Sequence, residues 1–326
     1  MHILTATLAA AIPTAIYSLM LWWLDRYEKE PLSLILIAFL WGALPAIALA
    51  LLFELVLAAP LERSPIGPSA TQWALAPLVE EPIKALALVG LYRFARYEFD
   101  GPLDGIVYGA LVGFGFSMTE NLLFFLHYGD VDRLLWVRGV LFGLNHAFFT
   151  SLVGLALGAA RYERSRQLNI LALAGGLALA ILFHALHNYV VSYPFGGLFL
   201  SWLIQSAGVL VVLAVAVLAW RNERRWMEDE LGEEVRAGVL TARDYTEITS
   251  SPLRLRRQTA ALLNGGWPRY RQVRRLHHLA TELAFRKSQS RLHDDCHPAD
   301  ECGQLRAAIV ELRAGLQAEE SAWGES

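Results

Sequence analysis

Long runs of apolar residues, separated by short polar stretches, fill the first two thirds of the chain. A helix needs about 20 mostly apolar residues to cross the hydrocarbon core of a bilayer. Seven stretches reach that length, at residues 2–24, 32–58, 72–94, 103–128, 134–160, 168–192 and 196–220. The first has no Lys or Arg before its apolar run and no convincing small-residue cleavage site, which favours a retained span over a signal peptide. The pattern predicts an all-α fold, a polytopic membrane helix bundle of about seven spans.

The pattern changes after residue 220. Apolar residues recur at helical spacing over 267–290, and again from Pro298 to about Glu320, which predicts amphipathic helices. The first 220 residues contain 25 charged side chains, whereas the remaining 106 contain 34. We therefore expect a transmembrane domain over 1–220 and a cytoplasmic amphipathic-helical tail over 221–326. The net charge of -3 suggests no nucleic-acid partner.

Lys and Arg are concentrated on one side of the predicted spans, the side that normally faces the cytoplasm. Ten lie in the first, third and fifth loops and at the start of the tail: Arg26, Lys29, Arg93, Arg96, Arg161, Arg164, Arg166, Arg221, Arg224 and Arg225. The opposite loops offer Arg63 and Arg133, with Arg138 added if the fifth span begins late. This bias predicts a multi-pass protein of the plasma (inner) membrane, with its N-terminus outside and its tail in the cytoplasm.

Several predicted spans contain ionisable residues, which are costly in a bilayer and are functional candidates. They are Glu80, Glu81 and Lys84 in the third span, Glu120 in the fourth, His146 in the fifth, and His184 and His187 in the sixth. Asn121, Asn145 and Asn188 accompany them. At about 1.5 Å per residue, one group from each of these four helices lies roughly 12–18 Å below the outer surface. The spans therefore bring polar groups to one level in the outer half of the membrane.

The spacing of these residues is compatible with hydrolysis by two routes. Glu80 and Lys84 are i,i+4, and His184 and Asn188 share a helix face in the same way. A carboxylate beside a cation and imidazoles can act as a general base on water. Alternatively, His146 and His184 with a carboxylate such as Glu120 could hold Zn2+.

Other hydrolase patterns are excluded by the sequence. No HExxH motif occurs. Ser117 lacks the second glycine and the histidine neighbour of a serine protease, and Gly113–Phe116 has phenylalanine where a presenilin-type protease needs aspartate. In the tail, the spacing of His293, Cys296, His297 and Cys302 fits no standard zinc finger. A glutamate–histidine–asparagine site remains.

Four motifs occur in order between about residues 75 and 192. They are EExxK at Glu80–Lys84, FxxxE at Phe116–Glu120, Asn145-His146-Ala147, and HxxxN at His184–Asn188. Arg138 precedes the third motif and continues the pattern. Together they resemble the PrsW family of intramembrane proteases, distant relatives of the CAAX prenyl endopeptidases. The resemblance implies an integral membrane peptidase that cleaves single-pass membrane proteins near the outer face, with anti-sigma factors as the known kind of substrate.

The resemblance also implies roles for individual residues. The catalytic positions are Glu80, Glu81, Glu120, His146, His184 and Asn188, supported by Lys84, His187 and Asn121. We expect Glu80 to activate water because Lys84 can tune it, with His146 and either His184 or Asn188 polarising the scissile carbonyl. The family is described both as metal-dependent and as glutamate-type. The prenyl-protease relatives have histidine at the position of Glu120, so the sequence leaves the role of a metal open.

Two other classes of function are compatible with intramembrane Glu and His. A transporter or proton-coupled carrier uses such residues as relays, but the inverted repeats typical of carriers are not evident in the sequence. A catalytically silent relative could bind a partner helix, although it would have no need to bury all of these polar residues.

Overall fold

The computed structural model describes residues 3–24, 30–63, 67, 71, 73–95, 98–99, 101–161, 163, 165–292 and 298–324, and these residues contain helices and no strand. The helices of the first part are α1 (Ile3–Leu24), α2 (Leu32–Trp41), α3 (Ile47–Glu62), α4 (Leu75–Phe94), α5 (Pro102–Tyr128), α6 (Val131–Leu134), α7 (Asn145–Ala159) and α8 (Arg166–Val191). They are followed by α9 (Gly197–Arg236), α10 (Ala242–Thr249), α11 (Ser251–Leu292) and α12 (Pro298–Gly324). The all-α prediction is confirmed.

Six helical segments of the described residues are long and apolar enough to cross a membrane. They are Ile3–Trp22, Leu32–Glu62, Pro102–Tyr128, Val131–Ala159, Arg166–Val191 and Gly197–Arg236. The remaining predicted span, 72–94, is present as the 20-residue helix α4. It falls outside the six because Glu80, Glu81 and Lys84 lower its hydropathy. The charges that make α4 a candidate site element therefore also weaken its transmembrane signal.

Two of the spans are interrupted by π-helical turns. Gly42–Ala46, which contains Pro45, joins α2 to α3, and Leu135–Leu141 follows α6. Pro and π-turns are common causes of helix distortion. The span predicted over 134–160 corresponds to Val131–Ala159, which contains the second π-helical segment. The regular helix begins only at Asn145, so His146 lies in its first turn.

The described residues up to Ala219 form one compact unit, and α5 lies at its centre. The core around α5 includes Tyr108, Val112 and Phe149, all fully buried. Glycines allow the backbone of α5 to lie directly against α7, since a Cβ on Gly113 would come within 2.5 Å of the Ala147 backbone nitrogen. Gly105, Gly109 and Gly113 recur every four residues along α5, and all three face the backbone of α7 at close range.

A second compact unit begins at Trp220. Its core contains Leu231 and Ile248 together with Leu283 and Ile309 from α11 and α12. Helix α11 has a break at Gly266, whose φ of 67° lies in the left-handed region that glycine tolerates best. The predicted helices over 267–290 and 298–320 correspond to the second part of α11 and to α12.

Candidate active site

Helix α4 carries two carboxylates and one ammonium group in a single buried cluster. Glu80, Glu81 and Lys84 are all buried, and Lys84 is completely inaccessible to solvent. Lys84 Nζ donates to Glu80 Oε2 at 3.1 Å and to Glu81 Oε1 at 2.7 Å. One helical turn therefore brings both acids to the same cation, which balances part of their charge away from water.

Two imidazoles from α7 and α8 complete the cluster. His184 Nδ1 lies 2.7 Å from Glu81 Oε1, and His146 Nδ1 lies 3.1 Å from Lys84 Nζ. Glu80 Oε2 is 3.9 Å from the Nδ1 atom of each histidine. The ring of Phe149 stacks on His184 with centroids 4.9 Å apart, and this contact holds the imidazole in place.

Glu120 binds the other nitrogen of His146. Glu120 Oε2 is 3.0 Å from His146 Nε2 and 2.5 Å from Arg138 Nη2. Arg138 Nε also donates to Asn121 Oδ1 at 2.9 Å, and its guanidinium lies 3.8 Å above the ring of Phe124. The arginine thus connects two predicted site residues through both ends of its planar group.

Arg138 was not predicted to be a site residue. The signal was present, because Arg138 lies in an apolar stretch and intramembrane arginines are uncommon. Arg138 also precedes Asn145-His146-Ala147 in the motif pattern, but no role in the site was predicted for it. Its position in the π-helical segment Leu135–Leu141, which turns it toward α5, depends on tertiary structure.

A cavity of about 140 Å³ borders this network. Its polar lining residues are Ser117, Glu120, Asn121, Arg138, Asn145, His146, His184, His187 and Asn188. Glu80, Glu81 and Lys84 are not among the lining residues and contact the two imidazoles instead. His187 Nδ1 lies 2.8 Å from Ser201 Oγ, and Asn188 lines the cavity one turn beyond His184.

The donor atoms present suit a divalent metal ion. One ligand atom each from Glu80, Glu81, His146 and His184 lie within 4.8 Å of one another. Imidazole and carboxylate are common zinc ligands. Glu81 Oε2 is buried without a hydrogen-bond partner among the described residues. The ligand set expected from the sequence was His146, His184 and Glu120. In the structure the carboxylates that converge with the two histidines are those of Glu80 and Glu81. Glu120 instead binds the Nε2 of His146, on the side of the ring away from Lys84.

Of the four tail residues His293, Cys296, His297 and Cys302, the structure describes only Cys302. Cys302 is a buried free thiol. His293, Cys296 and His297 lie outside the described residues.

Comparison with known proteins agrees with the motif pattern. The family model described as "PrsW family intramembrane metalloprotease" matches residues 30–220, more than half of the chain. The chain belongs to the PrsW family. This confirms the resemblance drawn from the four motifs, and the match includes every helix that contributes to the cluster.

Curated PrsW relatives show moderate identity. "Protease PrsW" of Geobacillus kaustophilus (strain HTA426) is 36% identical over 143 residues, 44% of this chain and 61% of the relative. The protein of the same name from Shouchella clausii (strain KSM-K16) is 29% identical over 191 residues, 59% of this chain and 85% of the relative. That of Bacillus subtilis (strain 168) is 28% identical over 192 residues, 57% and 83% respectively. The alignment thus spans less than two thirds of the Geobacillus protein. No solved structure gives a significant match.

Proposed function

We propose that this protein is an intramembrane endopeptidase that hydrolyses a peptide bond of single-pass membrane proteins near the outer face. The observation that carries the proposal is the buried carboxylate–imidazole cluster beside a polar cavity, in a chain of the PrsW family. A peptide bond that enters the cavity would meet the imidazoles first, with the acids of α4 supporting them.

Water activation is assigned to the pair Glu81–His184. A carboxylate accepts hydrogen bonds, so the Nδ1 of His184 carries the proton that it shares with Glu81. The Nε2 of His184 then keeps its lone pair for a proton from water, and His184 lines the cavity. This differs from the expectation that Glu80 acts directly, because Glu80 does not line the cavity. Glu80 instead shares the Lys84 ammonium with Glu81.

The protonation of His146 follows from the same reasoning. Its Nε2 faces the carboxylate of Glu120 and donates, whereas its Nδ1 accepts from the Lys84 ammonium. The ring is therefore neutral and fixed in one tautomer. Glu120 and Arg138 act on the site through this ring, so we assign Glu120 as a positioning residue.

The cavity wall offers hydrogen-bond donors to the carbonyl oxygen of a scissile peptide bond. Arg138 and Asn188 line the cavity, and both carry N–H groups that can stabilise a developing oxyanion. We assign the oxyanion contact to these two side chains, with His187 and Asn121 in support through their hydrogen bonds to Ser201 and Arg138.

A metal ion would be held by Glu80, Glu81, His146 and His184, the residues whose donor atoms converge. A bound divalent ion such as Zn2+ would act as a Lewis acid. In that case the hydrogen bond between Glu120 and His146 would resemble the carboxylate–histidine pairs that commonly orient a metal-binding histidine.

The membrane orientation belongs to the same proposal. The Lys and Arg bias supports an outer N-terminus and a cytoplasmic tail over 221–326 in a bacterial inner membrane. This orientation places the site in the outer half of the bilayer, where a single-pass substrate would be cut close to its extracytoplasmic end.

Membrane proteomics of cells that express the wild type, Glu80→Gln or Glu81→Gln tests the proposal. We expect a single-pass protein to appear in a form clipped near the outer face only with the wild type. Glu62→Gln, at an exposed carboxylate at the end of α3, is the matched control and should cleave normally. Identical profiles at equal expression would contradict the proposed peptidase activity.

A further inference from the structure

Lys84 occupies an unusual position for a lysine. Its side chain is completely buried, and its ammonium lies 4.2 Å above the ring of Phe116. The ammonium bonds Glu80 Oε2, Glu81 Oε1 and His146 Nδ1 at 3.1, 2.7 and 3.1 Å. An ammonium group has three N–H donors, so these three contacts use all of them.

The residues that bind Lys84 are also residues of the metal-binding group. Of the four residues whose donor atoms converge, only His184 has no direct bond to Lys84 among the contacts described. A metal ligand must direct a lone pair at the ion, and a hydrogen bond from Lys84 uses the same kind of lone pair. The Nδ1 of His146 has one lone pair only, and its other nitrogen is bound to Glu120.

Charge leads to the same conclusion. Two carboxylates and one ammonium give the cluster a net charge of about -1, whereas Glu120 and Arg138 neutralise each other. A dication added beside Lys84 would make the buried cluster positive and would repel the ammonium at short range.

We propose that Lys84 is an internal competitor of a divalent metal ion. The cluster holds either the Lys84 ammonium or a divalent ion on Glu80, Glu81 and His146, and ion binding requires the lysine side chain to leave these atoms. The wild-type site therefore binds divalent ions more weakly than the same donors would without Lys84.

The inference rests on the proposed function only in taking this cluster as the active centre. Its test measures ion binding without substrate. Absence of cleavage would contradict the proposed function, whereas equal or weaker Co2+ binding without Lys84 would contradict this inference alone.

The test titrates the full chain in detergent micelles with Co2+ alone, followed by the visible absorption of the bound ion and by calorimetry. Two pairs are compared: wild type with Lys84→Met, and Glu80→Gln with Glu80→Gln/Lys84→Met. Methionine keeps an unbranched side chain without the charge. We expect Co2+ to bind about tenfold or more tightly when Lys84 is absent, in both pairs, because a repelling charge has been removed.

The second pair keeps the test valid if Lys84→Met fails to fold. Lys84→Met leaves two buried carboxylates without their cation, whereas the double variant removes one charge of each sign and keeps the net charge of the cluster. If the pairs disagree or Lys84→Met does not fold, the second pair decides. Arg93→Met, at an exposed position on the same helix, is the control and should bind Co2+ as the wild type does. Equal or weaker Co2+ binding without Lys84 in the deciding pair would overturn the inference.

Discussion

Arg138 shows how one side chain can organise several others. Its guanidinium binds Glu120 and Asn121 at once, and the residue lines the cavity with its side chain partly exposed. Only a planar fork can make both bonds in this geometry, so lysine is not an equivalent substitute. The residue thus connects the orientation of His146 with the wall that a substrate would touch.

We predict that Arg138→Gln reduces the cleavage rate by about 10²–10³-fold, because an oxyanion donor and the partner of Glu120 are lost together. Arg138→Lys should recover part of this loss, since the charge returns but one of the two bonds does not. The measurement is the rate of substrate clipping at equal expression. Arg133→Gln, at an exposed neighbouring arginine, should be unaffected. Equal cleavage rates of Arg138→Gln and wild type would show that Arg138 has no role in cleavage.

In the second unit, His277 is a buried histidine whose protonation is opposed by its surroundings. Only 3% of its surface is exposed. Burial, with the nearby charges of Arg254 and Arg257, lowers the pKa of His277 from 6.5 to about 3. Below pH 6.5 the unfolded chain takes up a proton that the folded unit excludes, so folding stability declines as the pH falls.

The predicted loss of stability of the tail between pH 7 and pH 5 is about 2 kcal/mol from His277. Hydrogen exchange of peptides covering α11, corrected for the intrinsic exchange rate, measures it in the full chain. His277→Gln should flatten the pH dependence, whereas His278→Gln, at the exposed adjacent histidine, should leave it unchanged. A pH dependence that persists in His277→Gln would assign the effect to other groups.

At the scale of helices, the contact between α5 and α7 determines where His146 lies. Gly105, Gly109 and Gly113 allow the two backbones to touch, and a Cβ on any of them would meet backbone atoms of α7 at less than 3.0 Å. Because backbone atoms cannot rotate out of the way as a side chain can, the helices would have to separate. The partner of Gly113 is the backbone at His146 and Ala147, so separation there moves a site residue directly.

We predict that Gly113→Ala lowers the free energy of unfolding by roughly 1–3 kcal/mol, the usual cost of an overpacked contact. The substitution should also abolish cleavage, because it displaces His146. Gly175→Ala on α8, where a Cβ would meet nothing within 4 Å, is the matched control. Thermal unfolding in detergent and substrate clipping are the two measurements. Normal cleavage by Gly113→Ala would mean that the cluster tolerates a shift of α7.

At the scale of the whole molecule, the proposed orientation makes a prediction about labelling. In a chain with Cys296 and Cys302 replaced by alanine, Arg133→Cys should react with a membrane-impermeant maleimide on intact spheroplasts. Glu163→Cys should react only after lysis. Both positions are exposed, so accessibility depends on the side of the membrane. The opposite pattern would reverse the orientation and place the site near the cytoplasmic face.

The sequence alone determined the class of the molecule and the family to which it belongs. Apolar runs long enough to span a bilayer must become helices there, because backbone groups have no water to bind. Polar side chains are costly in a bilayer, so their presence in those runs indicated α4, α5, α7 and α8 as candidate site elements. The four motifs then identified the PrsW family.

Only the tertiary structure decided which atoms meet. Helical spacing allows Lys84 to reach Glu80 at i,i+4 and Glu81 at i,i+3. It does not predict the contact with His146, which is on a different helix. Likewise, the break before Asn145 and the π-helical turn that presents Arg138 depend on contacts between helices, among them the Tyr17 hydroxyl bond to the Gly139 carbonyl. Local sequence governs burial and helical period, whereas the pairing of nitrogen and oxygen atoms across helices depends on how closely the backbones pack.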